Sequence, residues 1–367
     1  MSSSQAPPAT NVASRSGVTA MRVWLIVLAF MVYAMILIGG ATRLTDSGLS
    51  ITEWAPIHGA LPPLSEQAWI DEFGKYKLTA EYRLQNAGMT MAEFQFIYWW
   101  EWGHRLFGRL IGLVAIGGFV WFAANRWLTR KWAVRFAVLI ALGGLQGFVG
   151  WWMVASGIGE TTRVDVAPYR LATHFTLALL IIGLIAWFWM DLGGKARAPA
   201  SSRLRYLAYG LLALVSIQMF TGALVAGLDA GRTYTDWPQM AGEWVPSHYV
   251  ENQLGLRSLF EGRAATQFNH RILAYGLFAL ALVVACAYRR SPQAGPVFWV
   301  AGLVTAQSVW GVVTLLNGAQ PLPIPLVHQG LGVLVLLAAV RLAWRVSPGY
   351  SASAESPPAS TNTTLSR

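Results

Sequence analysis

Residues 21–40 read MRVWLIVLAFMVYAMILIGG, twenty positions with a single charge, Arg22. At a helical rise of about 1.5 Å per residue such a run is about 30 Å long, the thickness of a bilayer's hydrocarbon core. Its apolar residues do not alternate with period two, so it reads as a helix and not as a barrel strand. Unpaired backbone groups are too costly in lipid for any other open structure to cross it. The run is longer than a signal-peptide core and has no clear cleavage site, so it reads as a retained first span.

Seven further runs of the same kind follow along the chain. The expected spans are Arg22–Gly40, Arg105–Ala123, Ala133–Val154, Leu171–Met190, Leu204–Ala226, Arg271–Tyr288, Val297–Leu316 and Leu326–Trp344. Composition agrees: 55% of the 367 residues are hydrophobic and 12% charged, against about 25% charged in soluble domains. The fold class is therefore an all-α integral membrane protein with eight transmembrane helices. Residues 1–20 and 347–367, rich in Ser, Pro, Ala and Thr, read as disordered tails.

The formal charge of +10 is unevenly placed. The segments after spans two, four and six carry Arg126, Arg130, Lys131 and Arg135; Lys195, Arg197, Arg203 and Arg205; and Arg289 and Arg290. With both termini they net +13, whereas the opposite side nets −3. The positive-inside rule puts that basic side and both termini in the cytoplasm, in a multi-pass plasma (inner) membrane protein. The charge is thus a topology signal, and nucleic acid is excluded as a partner. The expected environment is the lipid bilayer, with self-association left open. Cys286 is the single cysteine, so no intrachain disulfide or cysteine-based metal site is available.

The halves repeat. Gly39, Asp46, Gly48, Thr52, Glu53 and Trp54 match Gly222, Asp229, Gly231, Thr235, Asp236 and Trp237 at an offset of 183. His104-Arg105 matches His270-Arg271 at 166, Gln146 and Gly150 match Gln307 and Gly311 at 161, and His174 matches His328 at 154. Each change of offset falls in a loop. Four spans per unit give both units the same orientation. Two tandem four-helix bundles related by a pseudo-two-fold axis along the membrane normal follow. The expected boundaries are 21–191 for the first unit, 192–203 for a cytoplasmic linker and 204–346 for the second unit. Exterior loops of about 41–104 and 227–270 are long, rich in Trp and Pro, and expected to form short interfacial helices.

Four of the six histidines, His104, His174, His270 and His328, fall at the outer ends of spans two, four, six and eight. Two imidazoles facing across each bundle offer the two axial positions of a heme iron. Gly143, Gly144, Gly147 and Gly150 read either as room for a flat macrocycle or as close helix packing. His58 and His248 do not correspond between the halves and read as loop residues.

The halves differ three residues before the first histidine of each pair, where Glu101 stands in one and Gln267 in the other. At that spacing Glu101 shares a helix face with His104, where a carboxylate beside a heme can position water, move protons or stabilise positive charge. The alternative is that it pairs with a nearby arginine at the surface. Arg105, Arg109 and Arg271 read either as partners of heme propionates or as interfacial anchors. On this asymmetry the first half is the reacting site and the second a permanent cofactor site.

The stretch from Gly39 to Ser50, GGATRLTDSGLS, together with Glu101-Trp102-Gly103-His104-Arg105 and Phe268-Asn269-His270-Arg271, resembles the heme A synthase family from about Arg22 to Trp344. The resemblance implies an oxidoreductase that converts the methyl at ring position 8 of heme O to a formyl by successive hydroxylations and dehydration. The product serves heme-copper terminal oxidases. It implies that the substrate heme is flanked by His104 and His174 with Arg105 nearby, that His270 and His328 ligate a heme b, and that Glu101 is the catalytic carboxylate. All of these would lie near the exterior side. It implies as partners a heme O synthase or oxidase assembly factor and an electron donor that the sequence does not name. Some family members carry an exterior-loop cysteine pair; this chain has none and resembles the branch without it. The rival reading is a di-heme b-type cytochrome for quinol-linked electron transfer.

Overall fold

In the computed structural model, residues 15–55, 58–159, 161–194, 197 and 199–348 are described. The expected tails, apart from 15–20 and 347–348, and Lys195 of the linker lie outside them. Among the described residues, eight helices are long and apolar enough to cross a membrane: α1 (Arg15–Leu44), α4 (Met91–Ala124), α5 (Arg130–Val154), α6 (Pro168–Leu192), α7 (Ser202–Gly227), α9 (Arg263–Ala287), α10 (Ala294–Leu316) and α11 (Pro323–Val346). Three short helices, α2 (Glu66–Tyr76), α3 (Ala80–Leu84) and α8 (Ser258–Glu261), lie in the two long loops. The chain is an all-helical, multi-pass membrane protein.

Two expectations are corrected. Residues 15–20 were expected in a disordered tail and are instead the first turns of α1. The helices bearing His104 and His270 begin well before the histidines, at Met91 and Arg263. The histidines therefore sit inside their helices and not at the helix mouths. For α4 the cause is local: Thr90 and Glu93 form a reciprocal capping box, which satisfies two of the helix's open N–H groups upstream of the apolar run. At 34 residues α4 is about 50 Å long, more than a bilayer core requires. Its leading turns carry Phe94, Ile97 and Tyr98, which pack against Phe73 and Tyr76 of α2. Phe73 and Phe94 stack at 4.8 Å between ring centroids. Side-chain caps from Ser65 and Thr79 start α2 and α3.

Helix α1 packs on α4 and α6, and α5 on α4 and α6; in the second half α7 packs on α9 and α11, and α10 on α9 and α11. Contacts of α6 with α7 and α11, and of α1 with α11, join the halves. Outward-facing Phe30, Leu113 and Trp121 are 71%, 68% and 61% exposed, the surface that lipid covers. After α1 and α7 the chain turns through Asp46 and Asp229, with φ of 48° and 50°. That left-handed region tolerates Asp better than most residues. Arg43 crosses between the halves: it pairs with Asp46 at 3.1 Å, Asp165 at 3.5 Å and Asp229 at 2.8 Å.

Candidate heme site

A cavity of about 1350 Å³ runs through the structure and is lined by all four histidines, Glu101 and Arg105. That exceeds the roughly 300–1,000 Å³ of a typical single-ligand pocket. Its walls are mostly apolar side chains and glycines. His104 lies within electrostatic reach of His174, and His270 within reach of His328. The fold thus brings together the pairs that the sequence suggested. His58 and His248 do not line the cavity, and Cys286 is exposed near the far end of α9.

Each imidazole rests on a glycine of a neighbouring helix. A Cβ added at Gly39, Gly150, Gly222 or Gly311 would approach Cε1 of His104, His174, His270 or His328 to 2.9, 2.9, 3.0 and 3.0 Å. Any side chain there would push the ring aside. Gly143, Gly144 and Gly147 line the cavity with nothing within 4 Å of an added Cβ, so they leave space and do not serve close helix packing.

The rings are held differently. Gln146 donates its amide to the His174 carbonyl at 3.0 Å and lies 3.2 Å from that ring's Nδ1. Gln307 stands in the matching place, 3.2 Å from His328 Nδ1. On the other helix pair the repeat breaks. Thr221 donates its hydroxyl hydrogen to the Gln218 carbonyl at 2.9 Å and lies 3.1 Å from His270 Nδ1. The Gln218 amide nitrogen lies 3.0 Å from the same Nδ1 and 3.2 Å from Nε2, so two polar side chains of α7 hold this ring. Gln218 adds a bond to the His270 carbonyl at 3.0 Å. At the offset of 183, Gln218 and Thr221 correspond to Met35 and Ile38, which offer no such bonds. His104 Nδ1 is buried without a hydrogen-bond partner. Sequence reading passed over this pair, although comparing α1 with α7 in register exposes it.

Glu101 is fully engaged. Its Oε1 accepts from Arg105 at 2.6 Å, and its Oε2 accepts from Ser50 Oγ at 2.8 Å and Ile51 N at 2.7 Å. Arg105 also donates to the carbonyls of Glu53 and Ile51, each at 2.9 Å. In the second half Arg271 donates to Asp236 and Tyr234 in the corresponding places, at 2.9 and 3.0 Å. Gln267 donates to the Tyr234 carbonyl at 2.8 Å. Both arginines therefore staple a loop to its helix. Glu101 and Gln267 take part with opposite polarity, one accepting and the other donating. Arg109 lines the cavity and donates to the Ala55 carbonyl at 3.1 Å.

A second buried carboxyl, Glu81 of α3, also lines the cavity and is 2% exposed. Its Oε2 has no hydrogen-bond partner. Burial, and then the nearby Glu101, push its pKa up to about 8; the Tyr76 hydroxyl, Asp46 and Asp165 are its other charged or titratable neighbours. In sequence Glu81 is one acid among several in a long loop, and nothing local marks it.

Residues 22–340 match the family model COX15-CtaA, described as cytochrome oxidase assembly protein. Heme A synthase of Hyphomonas neptunium is 61% identical over 92% of this chain and 96% of that protein. Those of Dinoroseobacter shibae and Paracoccus denitrificans are 49% and 48% identical, covering 92% and 88% of this chain and 91% and 86% of theirs. The chain belongs to the heme A synthase family. Membership in a heme A synthase family brings heme with it, and the residues present fit that group. Facing imidazoles, glycine-backed rings and a large apolar cavity suit a flat macrocycle with two axial nitrogens. Among the described residues no cluster of three or more His, Cys, Asp or Glu side chains gathers as a rival metal site.

Proposed function

We propose that this chain is an oxidoreductase that makes heme A from heme O by oxidising the methyl at ring position 8 to a formyl. The two four-helix units form tandem bundles about a pseudo-two-fold axis along the membrane normal, an arrangement favoured by the matching helix contacts and paired turns. The first bundle receives heme O between His104 and His174, with Glu101 beside it. The second holds a heme b on His270 and His328. Heme b bound there supplies one-electron transfer to the reacting site.

The observation that carries this division is the unequal support of the first histidine in each pair. Thr221 and Gln218 hold the His270 ring in place, as befits a ligand that stays on its iron. His104 Nδ1 has no hydrogen-bond partner, and Met35 and Ile38 stand at the positions of Gln218 and Thr221, so its ring is left free to bind and release a substrate. Glu101, locked by Arg105, Ser50 and the Ile51 amide, presents a fixed negative charge that favours positive charge developing nearby. Gln267 brings no charge. A di-heme electron-transfer cytochrome would call for two equally held pairs.

By the charge asymmetry the basic loops and both termini are cytoplasmic, in the plasma membrane, and the heme sites lie toward the exterior. A heme O synthase or oxidase assembly factor and a separate electron donor are the proposed partners, and self-association is compatible with the fold.

The test is purification followed by chromatography of extracted hemes from cells supplied with heme O. Formyl heme above the level of an empty-vector strain supports synthesis, whereas bound protoheme without formyl product supports the cytochrome. Replacing His270 or His328 by Ala should lose heme b, and replacing His104 should not; equal loss in all three contradicts the division.

A further inference from the structure

Glu81 has no evident structural use for its second oxygen. The Tyr76 hydroxyl accepts a hydrogen from Asn86 Nδ2 at 2.7 Å, so its own hydrogen is available to one Glu81 oxygen. The other oxygen, Oε2, is buried and unpartnered at the wall of the cavity. No cation forms a salt bridge with Glu81 among the described residues, whereas Arg105 is committed to Glu101. An ionised Glu81 would be an unpaired buried charge next to a second carboxylate, so the neutral acid is the cheaper state. Carboxyl pairs whose surroundings hold one charged and one neutral divide acid and base work between them. Both members belong to the first half. The second has Gln267 in place of Glu101, and its shorter loop lacks the α2–α3 segment that carries Glu81.

We propose that Glu81 opens into the first-half cavity as a neutral carboxylic acid and carries the proton in the water-losing step that completes the formyl group; this rests on the heme O reading above. In that step the doubly hydroxylated methyl carbon loses one hydroxyl. The Glu81 proton passes to that oxygen, and the C–O bond breaks with its electron pair leaving as water. The remaining oxygen forms the C=O bond and returns its proton to the Glu81 carboxylate. No electron is gained or lost and the acid is restored, while the fixed charge of Glu101 offsets the cation formed in passing.

The test uses the full-length protein in lipid nanodiscs. Infrared spectra at neutral pH should show a protonated-carboxyl C=O band that shifts in D2O, is lost in Glu81→Gln, and persists in Glu101→Gln. In cells making heme O, Glu81→Gln should keep heme b, which reports folding, and raise the ratio of hydroxylated to formyl heme by roughly tenfold or more, while Glu81→Asp restores the band and part of the ratio. A band of full strength in Glu81→Gln overturns the neutral acid. A lost band with an unchanged heme ratio overturns the proton role. Wild-type protein that binds heme but makes no formyl heme overturns the synthase reading, and the step with it. The wild-type control separates that outcome from failure of Glu81 alone.

Discussion

Glu101 and Gln267 differ by one functional group, yet the sign of their contacts is reversed. The carboxylate gathers three donors, from Arg105, Ser50 and Ile51, and the amide gives a hydrogen to Tyr234. Glu101→Gln is expected to keep heme b and abolish formyl heme, read by chromatography of extracted hemes; unchanged product removes Glu101 from the chemistry. Thr221→Ile copies Ile38 into the second half and removes the hydroxyl that contacts the His270 ring at 3.1 Å. Loss of such a supporting bond weakens ligation by roughly 10–100-fold, so heme b should dissociate faster and its reduction potential should shift. Glu81 yields a pH prediction. Its pKa rises from 4.5 to about 8 on folding, so the folded state binds the proton more tightly. The stability gained is full below the lower value and is lost as pH rises through the upper one. Thermal unfolding followed from roughly pH 5 to 9 should show this decline in the wild type and a flatter profile in Glu81→Gln.

The helices owe their lengths to capping as well as to apolar runs. The start of α4 depends on Thr90 and Glu93, and its leading turns hold α2 through Phe94 and Tyr98. Glu81 follows α2 directly, so this extramembrane packing indirectly positions a cavity-lining carboxyl. Thr90→Ala should cost about 1 kcal/mol and release α2 before the membrane helices loosen. Hydrogen exchange would show the difference, with faster exchange confined to residues 66–94. The glycines that back the histidines belong to this scale too. They make room for rings carried by neighbouring helices, a demand that arises only when two helices cross.

At the scale of the molecule, the halves meet through α6 against α7 and α11, through α1 against α11, and through the Arg43 guanidinium. Arg43 binds Asp46 and Asp165 of its own half and Asp229 of the other. Its counterpart at the offset of 183 is Ala226, whose carbonyl it also reaches at 3.2 Å. One arginine thus serves both copies of the turn, which a strict duplicate could not do. Arg43→Ala should lower stability by about 1–3 kcal/mol. Because its acidic partners are 33–44% exposed, salt should reduce the effect. The measurement is thermal unfolding in detergent at low and high salt.

Much of this protein is determined along the chain. Hydrophobic length set the number of spans, because a bilayer leaves the backbone no other partners, and residues 21–40 already carry that constraint. The repeat was legible because polar residues in apolar helices are few and each must be accommodated. For that reason His104, His174, His270 and His328 stood out, as did Glu101 against Gln267. The support of the histidines, the commitment of Arg105 and Arg271 to loop carbonyls, and the burial of Glu81 were decided only in three dimensions. Each depends on which atoms of distant segments come within hydrogen-bond reach, or on whether a carboxyl is left without one, and such distances are set by helix crossings and loop packing that no local pattern encodes.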